Sequence, residues 1–498
     1  MRSIHSPLAA AILFTGITAV TSPPLIGDPQ TMQSAPTEAS LVAGPLRMKF
    51  ADGELRYITV GDKEIVRRIY FSLRDPRWDT VASEFQRVDI QRKADSFRIE
   101  IKALVRRDPV NFQWEGEIVG TSSGRITYNV RGQAGADFRF NRFGLCVHYG
   151  AASLAGQEIE LIDAAGKVSP SLFPARIQSE LWSARFHTLR YTTSGGMAVS
   201  TTLSPEAFGM EDQRNFGDSS FKAFSGMNFP YPRITAGGHG EQTLTLEVKN
   251  AKPATAAATK TVVVEVGTPL ANAKVPRFLP LDATAKKGFF NDLNKGKEQF
   301  KDAEVLAWPY CSAVNLFDDD TQFENLATIA DQAATARAIS RSARLRIAPV
   351  SFHIPYPRTT ADPRDQTAFA AAWTAAAIKQ LALAGVDEAM FDLAPGPGRR
   401  MLDELGAYSG SPILTEPGVP SHSPVEAFAV QSKESVVLWV VNTSPAPASA
   451  NVRLPGHTAA AQQCGDRSSR NVSVRGGSLP VVLQGYDVCR VTVGSRIY

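Results

Sequence analysis

The feature that most constrains the fold is an alternation of apolar and polar residues with a period of two. It runs from Phe97 to Val105, from Phe112 to Ile118 and from Ile126 to Val130. Because successive side chains of a strand point to opposite faces, this pattern is typical of strands with one buried face. Turn residues separate the segments closely, which predicts antiparallel hairpins. We therefore predict an N-terminal antiparallel β-sandwich over residues 41–268, with its final strand at Thr243–Val248.

The periodicity becomes helical after residue 285. Thr321 and Glu324 have the spacing of a capping box, which predicts that a helix begins at this point. Apolar residues at helical spacing predict a second helix from Gln366 to Ala384, and Gly385 is suited to end it. Strands are predicted at 288–290, 305–308, 345–350 and 386–393. Alternating strands and helices are typical of a parallel β/α arrangement.

The length of this β/α segment limits its fold. A complete (β/α)8 barrel typically takes about 250 residues, whereas the segment 269–420 holds only about 150. We therefore predict a central, incomplete TIM-barrel-like domain of about four β/α units. Alternation with period two returns after Pro424 and predicts a C-terminal β-sandwich at 421–498. The predicted fold class is a multidomain α/β plus β protein.

The N-terminus contains an apolar run, Leu8–Val20, that follows Arg2. This order is typical of a signal peptide, but the single basic residue and the lack of a small-x-small site argue against one. We interpret residues 1–40 as a signal-like or disordered segment. We expect a cytoplasmic protein, or an exported one if the run is a signal peptide. The run is too short to cross a membrane, and no membrane partner is expected.

Composition excludes several classes of partner. The chain has 53 Lys and Arg against 49 Asp and Glu, a net charge of +4, and no basic stripe interleaved with aromatics, so no nucleic-acid partner is expected. No C-x-x-C or H-E-x-x-H motif occurs, and we predict neither a metal nor a cofactor. We expect Cys464 and Cys489 to be free thiols, which would pair only in an exported protein. A serine hydrolase is not expected, because no G-x-S-x-G motif occurs.

The segment Phe208–Lys222, FGMEDQRNFGDSSFK, has an unusual density of charge. Its polar residues lie between apolar ones that would draw it inward: Glu211, Asp212, Arg214, Asn215, Asp218 and Lys222. Buried charges must be paired or take part in chemistry. Two interpretations stay open, a buried ion-pair corner and a site for a polyol or carboxylate. In both, we expect Glu211, Asp212 and Arg214 to pair with one another or with the β/α domain.

This run, together with Leu41–Asp75 and Phe138–Val147, resembles the D-apionate lactonase family. The resemblance implies an N-terminal β-domain, a central TIM barrel and a small C-terminal β-domain. It also implies hydrolysis of a branched-sugar lactone as the activity. Family members carry Trp where this chain has Phe216 and Thr where it has Gly217.

The resemblance weakens in the central domain. The family has a full barrel there, whereas the first half is missing in this chain. Family members carry Glu at the positions of Asp292 and Asp392, and His at the position of Asn315. Shortening Glu to Asp retracts a carboxylate by about one methylene, and a misplacement near 1 Å can lower a rate about 10²-fold.

Lactone opening needs an activated water, a donor for the developing oxyanion and an acid for the leaving ring oxygen. Because the resemblance implies that Asp292 and Asp392 lie at barrel strand ends, we predict that they supply base and acid. The predicted substrate-binding residues are Glu211, Asp212, Arg214, Asn215, Lys222 and Asn294. Asp392 has a second interpretation, in which it only caps a helix or turn.

Two functions follow from these observations. The first is a carbohydrate-lactone hydrolase whose small-molecule partner is a sugar lactone or sugar acid, and the intact charged run favours it. The second is a degenerate relative that binds sugar or scaffolds a partner without turnover, and the missing half of the barrel favours it. A homo-oligomer is a further expectation, because a second copy could complete the half-barrel.

Overall fold

Strands are the predominant secondary structure, and the longest helix in the described residues has 16 residues. The computed structural model describes residues 38–179, 185–225, 232–251, 262–282, 285, 288–353, 362–414, 423–432 and 435–494. These residues belong to one compact unit. The signal-like or disordered segment predicted at 1–40 lies almost entirely outside them, so its nature stays a prediction.

The N-terminal part consists of eighteen strands and one short helix in the described residues. These are β1 (Ala39–Ala43), β2 (Leu46–Ala51), β3 (Glu54–Val60), β4 (Lys63–Arg74), β5 (Ser83–Arg92), β6 (Phe97–Arg107), β7 (Val110–Gly120), β8 (Arg125–Ala134), β9 (Phe138–Arg139), β10 (Arg142–Gly150), α1 (Ala151–Leu154), β11 (Glu158–Ile162), β12 (Val168–Leu172), β13 (Thr188–Thr192), β14 (Ala198–Ser204), β15 (Phe208–Asp212), β16 (Ser220–Ser225), β17 (Arg233–Ile234) and β18 (His239–Lys249). A 3-10 helix, Gln213–Phe216, joins β15 to β16.

These strands form two large antiparallel sheets. One has seven strands in the order β1-β2-β3-β4-β10-β16-β15, and the other has nine in the order β12-β11-β13-β14-β18-β8-β7-β6-β5. Buried apolar residues of both sheets, among them Ile69 and Ile101, form one continuous core. The predicted hairpins are confirmed, since β6, β7 and β8 pair consecutively. The strand predicted at Thr243–Val248 lies within β18.

The rest of the chain alternates strands with helices and then returns to strands. In chain order the elements are β19 (Val262–Glu265), β20 (Pro269–Lys274), β21 (Arg277–Phe278), α2 (Phe290–Lys295), β22 (Val305–Cys311), α3 (Asp319–Glu324), α4 (Thr328–Ile339), β23 (Arg344–Ser351), α5 (Ala368–Leu383), β24 (Glu388–Phe391), α6 (Pro397–Gly406), β25 (Pro412–Leu414), β26 (Val425–Gln431), β27 (Ser435–Asn442), β28 (Ala448–Arg453), β29 (Ala459–Cys464), β30 (Arg470–Ser473), β31 (Ser478–Leu483) and β32 (Val488–Gly494). Further 3-10 helices are Lys297–Phe300, Asn325–Ala327 and Pro363–Gln366.

The central sheet is parallel, with the order β21-β24-β23-β22. Helix α4 packs against β23 and against α5, and Trp308, Ile347 and Trp373 belong to their common core. The helix predicted from Gln366 to Ala384 is confirmed as α5. In the described residues this sheet has four strands and does not close into an eight-stranded barrel. The incomplete barrel predicted from length agrees with this arrangement.

Two local predictions in the central segment are wrong. The strand predicted at 288–290 is a turn followed by α2, because Gly288 adopts a φ of +101° and Asp292 caps the helix by accepting a hydrogen bond from the Phe289 amide. The helix predicted to begin at Thr321 begins earlier. Asp318 is its N-cap and accepts a hydrogen bond from the Thr321 amide at 3.0 Å.

Two strands from before the central sheet join the C-terminal sheets. Strand β19 pairs in parallel with β28, and β20 pairs with β25. Residues 262–274 are therefore hydrogen-bonded to later strands, although the predicted limits divide them between the first two domains. The domain limits 41–268, 269–420 and 421–498 stay predictions.

The C-terminal sheets contain a disulfide between Cys464 and Cys489. The expectation of free thiols is wrong, because antiparallel pairing of β29 with β32 makes these two residues direct neighbours. Their separation of 25 residues in the chain conceals this proximity.

Candidate functional site

One side of the seven-stranded sheet is charged and yet buried. The strand register places Arg56, Arg68, His148, Lys222 and Glu211 side by side on β3, β4, β10, β16 and β15. The first four are at most 5% exposed. We call the side of the sheet that carries these five residues the polar face. Such charges need partners, because an isolated buried charge is strongly destabilising.

The segment after β22 supplies many of these partners. The Asp318 carboxylate lies 2.7 Å from Arg56 and 3.5 Å from Arg68, and Glu324 lies 3.1 Å from Arg56. Burial acts to raise the pKa of Asp318, but the Arg68 and Arg56 guanidinium groups lower it well below its usual range. Ion pairs with buried arginines therefore join helix α3 and its N-cap to the N-terminal sheet.

Asn315 is the central residue of this contact. Its Oδ1 accepts hydrogen bonds from Arg74 Nη2 at 2.7 Å and from Lys222 Nζ at 3.1 Å. Its Nδ2 donates to Gln213 Oε1 at 2.8 Å and to Asp218 Oδ2 at 2.7 Å. An amide has two acceptor positions and two donors, so all four are used. The sequence singled out this position as a departure from the family but did not reveal its contacts.

Arg214 is the most deeply buried charge of the run. It is fully buried and pairs with Asp212 through two hydrogen bonds, from Nε at 2.9 Å and from Nη2 at 2.8 Å. Its Nη1 lies 3.4 Å from Asp331 on α4. Glu211 pairs with Arg142 at 2.7 Å. The expectation that Glu211, Asp212 and Arg214 are paired is confirmed, and Arg214 joins the N-terminal sheet to the central segment.

Burial also governs the protonation of the polar face. Burial lowers the pKa of Lys222 to about 7, and the neighbouring Arg74 and Arg142 act in the same direction. Burial lowers the pKa of His148 well below its usual value, so the ring is neutral. Tyr70 and Ser220 lie within hydrogen-bond distance of its two nitrogens, at 3.0 Å and 3.1 Å.

Asn215 and Asn294, two other predicted binding residues, are in direct contact. Asn294 Nδ2 donates to Asn215 Oδ1 at 3.0 Å, and Asn215 Nδ2 donates to the Gln178 carbonyl at 2.8 Å. Both side chains are buried. They therefore join α2 to the N-terminal part, as Arg214 joins α4. The structure brings all six predicted binding residues to this junction and gives each a partner within the protein.

The two predicted catalytic carboxylates lie on different elements, and both are exposed. Asp292 caps α2, which packs against β22 and the 3-10 helix Gln213–Phe216. Asp392 directly follows β24, and its amide donates to the Val350 carbonyl of β23 at 3.0 Å. Asp392 thus lies at the carboxyl end of a parallel strand, whereas Asp292 lies on a helix.

A histidine lies at the same edge of the sheet. His353 follows β23 by two residues, and its Nε2 lies 2.8 Å from Asp365 Oδ1. The His353 side chain is 20% exposed and that of Asp365 is 6% exposed. Cys311, the last residue of β22, donates through Sγ to the His353 carbonyl at 2.7 Å. We call the surface formed by Cys311, His353, Asp365 and Asp392 the carboxyl edge.

Sequence reasoning did not identify His353 or Asp365. One signal was present, since His353 follows a strand predicted to end at Val350 and barrel enzymes place reacting groups at such ends. Asp365 carried no signal, because it reaches His353 only through the course of the intervening chain. Asp392 was identified by the strand-end argument and lies at this edge.

Two sequence profiles match this chain. Residues 27–251 match the D-apionate lactonase N-terminal domain, and residues 283–404 match the D-apionate lactonase TIM barrel domain. The chain belongs to the D-apionate lactonase family. In this family member, the residues matched by the first profile include the charged run. The residues matched by the second profile include all four residues of the carboxyl edge.

A curated member of the D-apionate lactonase family also matches. D-apionate lactonase of Brucella anthropi is 23% identical over 227 residues, which are 45% of this chain and 37% of that protein. The chain thus matches well under half of its relative's length.

The present chain, a member of the D-apionate lactonase family, resembles solved structures only weakly. An endoxylanase from Clostridium papyrosolvens has a TM-score of 0.30 at 13% identity, covering 44% of this chain and 56% of that one. An α-galactosidase from Lactobacillus brevis has a TM-score of 0.30 at 8% identity, covering 93% and 99%. At these scores neither structure informs the fold or the activity.

Membrane-spanning helices and metal-binding clusters are both absent from the described residues of this family member. None of the helices there has the length and apolar character needed to span a bilayer. In the same residues, no group of three or more histidine, cysteine or carboxylate side chains could hold a metal ion.

Proposed function

We propose that this protein hydrolyses a carbohydrate lactone at the carboxyl edge. The observation that carries the proposal is the His353–Asp365 pair, 2.8 Å apart, beside the ends of parallel strands in a member of a lactonase family. The carboxyl ends of barrel strands are where enzymes of this architecture hold their reacting groups. D-Apionate lactone, a branched-sugar lactone, is the substrate that the family resemblance favours.

His353 is the proposed general base. When its Nε2 carries the proton and donates to Asp365, the lone pair is on Nδ1, which accepts no hydrogen bond within the described residues. Nδ1 can then take a proton from the attacking water. Asp365 is buried and fixes the orientation of the ring, and its charge stabilises the imidazolium that forms.

Asp392 is the second proposed catalytic group. It leaves β24 next to the strand that carries His353, so one substrate can contact both. When the tetrahedral intermediate collapses, the bond between the carbonyl carbon and the ring oxygen breaks. The ring oxygen then receives the proton that His353 took from the water, passed on through Asp392. Asp292 has no part in this mechanism, because its carboxylate caps α2. The six residues of the charged run support the site by holding the N-terminal sheet against the central segment.

The proposal is tested with the purified chain on a panel of aldonolactones that includes D-apionolactone, following proton release. We expect turnover, and we expect His353→Gln and Asp392→Asn each to lower kcat/KM by about 10²-fold or more. Asp292→Asn is the matched control and should retain activity. If Asp292→Asn loses activity and His353→Gln keeps it, the chemistry belongs to α2 instead.

A degenerate, non-catalytic relative is the second candidate. Two observations favour it. The predicted binding residues are buried and already have partners within the protein, since Arg214 is in an ion pair and Lys222 is hydrogen-bonded to Asn315. The described parallel sheet has four strands. If no lactone is hydrolysed while a sugar acid raises the melting temperature, this candidate replaces the first, because stabilisation requires only binding to the folded state.

We propose that the two N-terminal sheets form one β-sandwich around their common core, and that the sheets of the last domain form another. A sugar lactone or its acid is the proposed small-molecule partner. Completion of the half-barrel by a second copy is a proposal that the oligomeric state in solution would test.

A further inference from the structure

We propose that the polar face binds the carboxylate of a sugar acid between Arg74 and Arg142, with Trp78 at the rim. This inference rests on the proposed function for the identity of its ligand, since opening a sugar lactone produces such an acid. The site is separate from the carboxyl edge, and none of these three residues has a role in the proposed mechanism.

The first observation is a surplus of hydrogen-bond donors. Arg74 and Arg142 are register partners on β4 and β10, and they are 7% and 2% exposed. Arg74 Nε and Arg142 Nη1 are buried and have no hydrogen-bond partner, and the same is true of Nδ2 of the adjacent Asn141. Unpartnered buried donors are rare in folded proteins and destabilise unless a ligand or water accepts from them.

The second observation is a surplus of positive charge. Arg74 is the register partner of Arg142 and donates to the same Asn315 oxygen as Lys222, so the three cations lie together at the end of the polar face. Within the described residues, the ion pair of Arg142 with Glu211 is the one that joins any of these three cations to a carboxylate. Arg74 and Lys222 instead share the neutral Asn315 Oδ1. A carboxylate would accept hydrogen bonds from the guanidinium groups and reduce the repulsion among the three cations.

The third observation is an exposed aromatic ring next to Arg142. Trp78 is 40% exposed, and the Arg142 guanidinium lies 5.2 Å from the centre of its ring. Trp78 also adopts a φ of +71°, an uncommon conformation for a bulky residue. The exposed indole can pack against the carbon atoms of the sugar, while the buried guanidinium beside it binds the carboxylate.

Carboxylate binding at this site should depend on pH. Lys222 faces charged and titratable groups from several elements: Arg74 and Tyr70 on β4, Cys146, Arg142 and His148 on β10, Glu211 on β15, and Asp218 through Asn315. A bound carboxylate adds a negative charge near these cations. Because the pKa of Lys222 is about 7, binding should then be accompanied by proton uptake. Affinity should therefore rise as the pH falls through this range.

The experiment is calorimetric titration of the full chain at pH 6 and pH 8.5 with D-gluconate as the probe. D-Glucitol, which has the same carbon chain without the acid, is the ligand control, and acetate tests the carboxylate alone. We expect gluconate to bind more tightly at pH 6 and glucitol not to bind. Equal binding of gluconate and glucitol, or no binding of gluconate, would overturn the inference.

Variants locate the site. Arg142→Met should weaken gluconate binding at least tenfold, whereas Arg87→Met, an exposed arginine on β5, should leave it unchanged. Because Arg142→Met leaves Glu211 without its partner and could lower stability, Trp78→Gly provides a second test on an exposed residue whose φ glycine accepts. We expect it to weaken binding about threefold to tenfold. Full affinity in Trp78→Gly and Arg142→Met would place the ligand elsewhere.

The two proposals fail separately. Lactone turnover without gluconate binding at Arg142 would overturn this inference and leave the lactonase intact. Gluconate binding that depends on Arg142, without turnover of any lactone, would overturn the lactonase and retain the carboxylate site. Lys222→Met provides the last readout, since it should remove the pH dependence of binding.

Discussion

The polar face and the carboxyl edge both carry charged side chains, but they hold them differently. Lys222, on the polar face, is 1% exposed, and Arg214, in the adjoining 3-10 helix, is fully buried. Their partners come from both the N-terminal and the central parts of the chain. At the carboxyl edge, His353 is 20% exposed and Asp392 is exposed, and one ion pair holds the histidine. The dense charge pattern therefore stabilises an interface, whereas the sparse one leaves groups that a substrate can reach.

This difference predicts where substitutions act. Changes at the polar face and in the adjoining 3-10 helix should lower the free energy of unfolding, because they leave buried charges without partners. Changes at the carboxyl edge should alter activity and leave stability nearly unchanged. The following substitutions test the distinction by one common quantity, the free energy of unfolding measured in urea.

The largest effect is expected for Arg214→Met. Removing the guanidinium leaves the buried Asp212 carboxylate without its partner, which should lower the free energy of unfolding by about 3–5 kcal/mol. Arg87→Met removes an exposed arginine and should change the free energy of unfolding by less than about 0.5 kcal/mol. An Arg214→Met protein with unchanged stability would show that this ion pair contributes nothing to the interface.

The next effect is the pH dependence due to Lys222. In the unfolded chain this amine binds a proton up to its ordinary pKa of 10.5, whereas in the folded protein it releases the proton at about 7. Between these values the unfolded state holds more protons, so stability should rise with pH, by about 3 kcal/mol from pH 7 to 9.5. Lys222→Met should reduce this rise, and the exposed Lys249→Met should preserve it. A Lys222→Met protein with the same pH profile as the wild type contradicts the assignment.

Gly217→Ala should have a smaller effect, about 2–3 kcal/mol. Gly217 has a φ of +103°, and a Cβ there would lie 2.4 Å from the Cys311 carbonyl oxygen. Gly410→Ala separates the effect of a positive φ from that of a steric contact. Gly410 has a φ of +83°, but no atom lies within 4 Å of the added carbon. We expect Gly410→Ala to lower stability by about 1 kcal/mol. Equal losses at the two positions would mean that the contact with Cys311 is not tight.

Asp365→Asn should have the smallest effect on stability, below about 1 kcal/mol, because the amide oxygen still accepts a hydrogen bond from His353. Lactone hydrolysis should fall about 10²-fold, since a neutral partner does not stabilise the imidazolium. Urea unfolding and proton-release assays on one preparation measure both. A stability loss as large as that of Arg214→Met would place this pair among the structural ion pairs.

Local patterns in the sequence predicted the local elements of the fold. The alternation over Phe97–Val130 became β6, β7 and β8, and the apolar spacing after Gln366 became α5. In both cases the periodicity indicates which side of the strand or helix is buried. This can be read from neighbouring residues alone, without knowing which distant segment packs against that side. The strand predicted at 288–290 failed because its apolar residues are too few to distinguish a strand from a helix.

Contacts between distant parts of the chain could not be predicted in the same way. Asn315 meets Arg74, Gln213, Asp218 and Lys222 across more than ninety residues of chain, and no residue pattern near it encodes those partners. The pairing of Cys464 with Cys489 depended likewise on strand register. For the candidate site, the strand-end argument identified Asp392 but missed His353, since the pairing with Asp365 exists only in the folded chain.

The pairing of β19 with β28 has a consequence for how the protein is made. Val262 and Ala450, which are register partners, are about 190 residues apart, so at roughly 5–20 residues per second the ribosome completes the later strand about 10–40 s after the earlier one. During that time the N-terminal sheets can be complete, but β19 has no partner strand. Val264, which is buried in the final fold, is then still exposed to solvent. Nascent chains stalled before residue 448 should therefore be the species that chaperones bind and proteases cut.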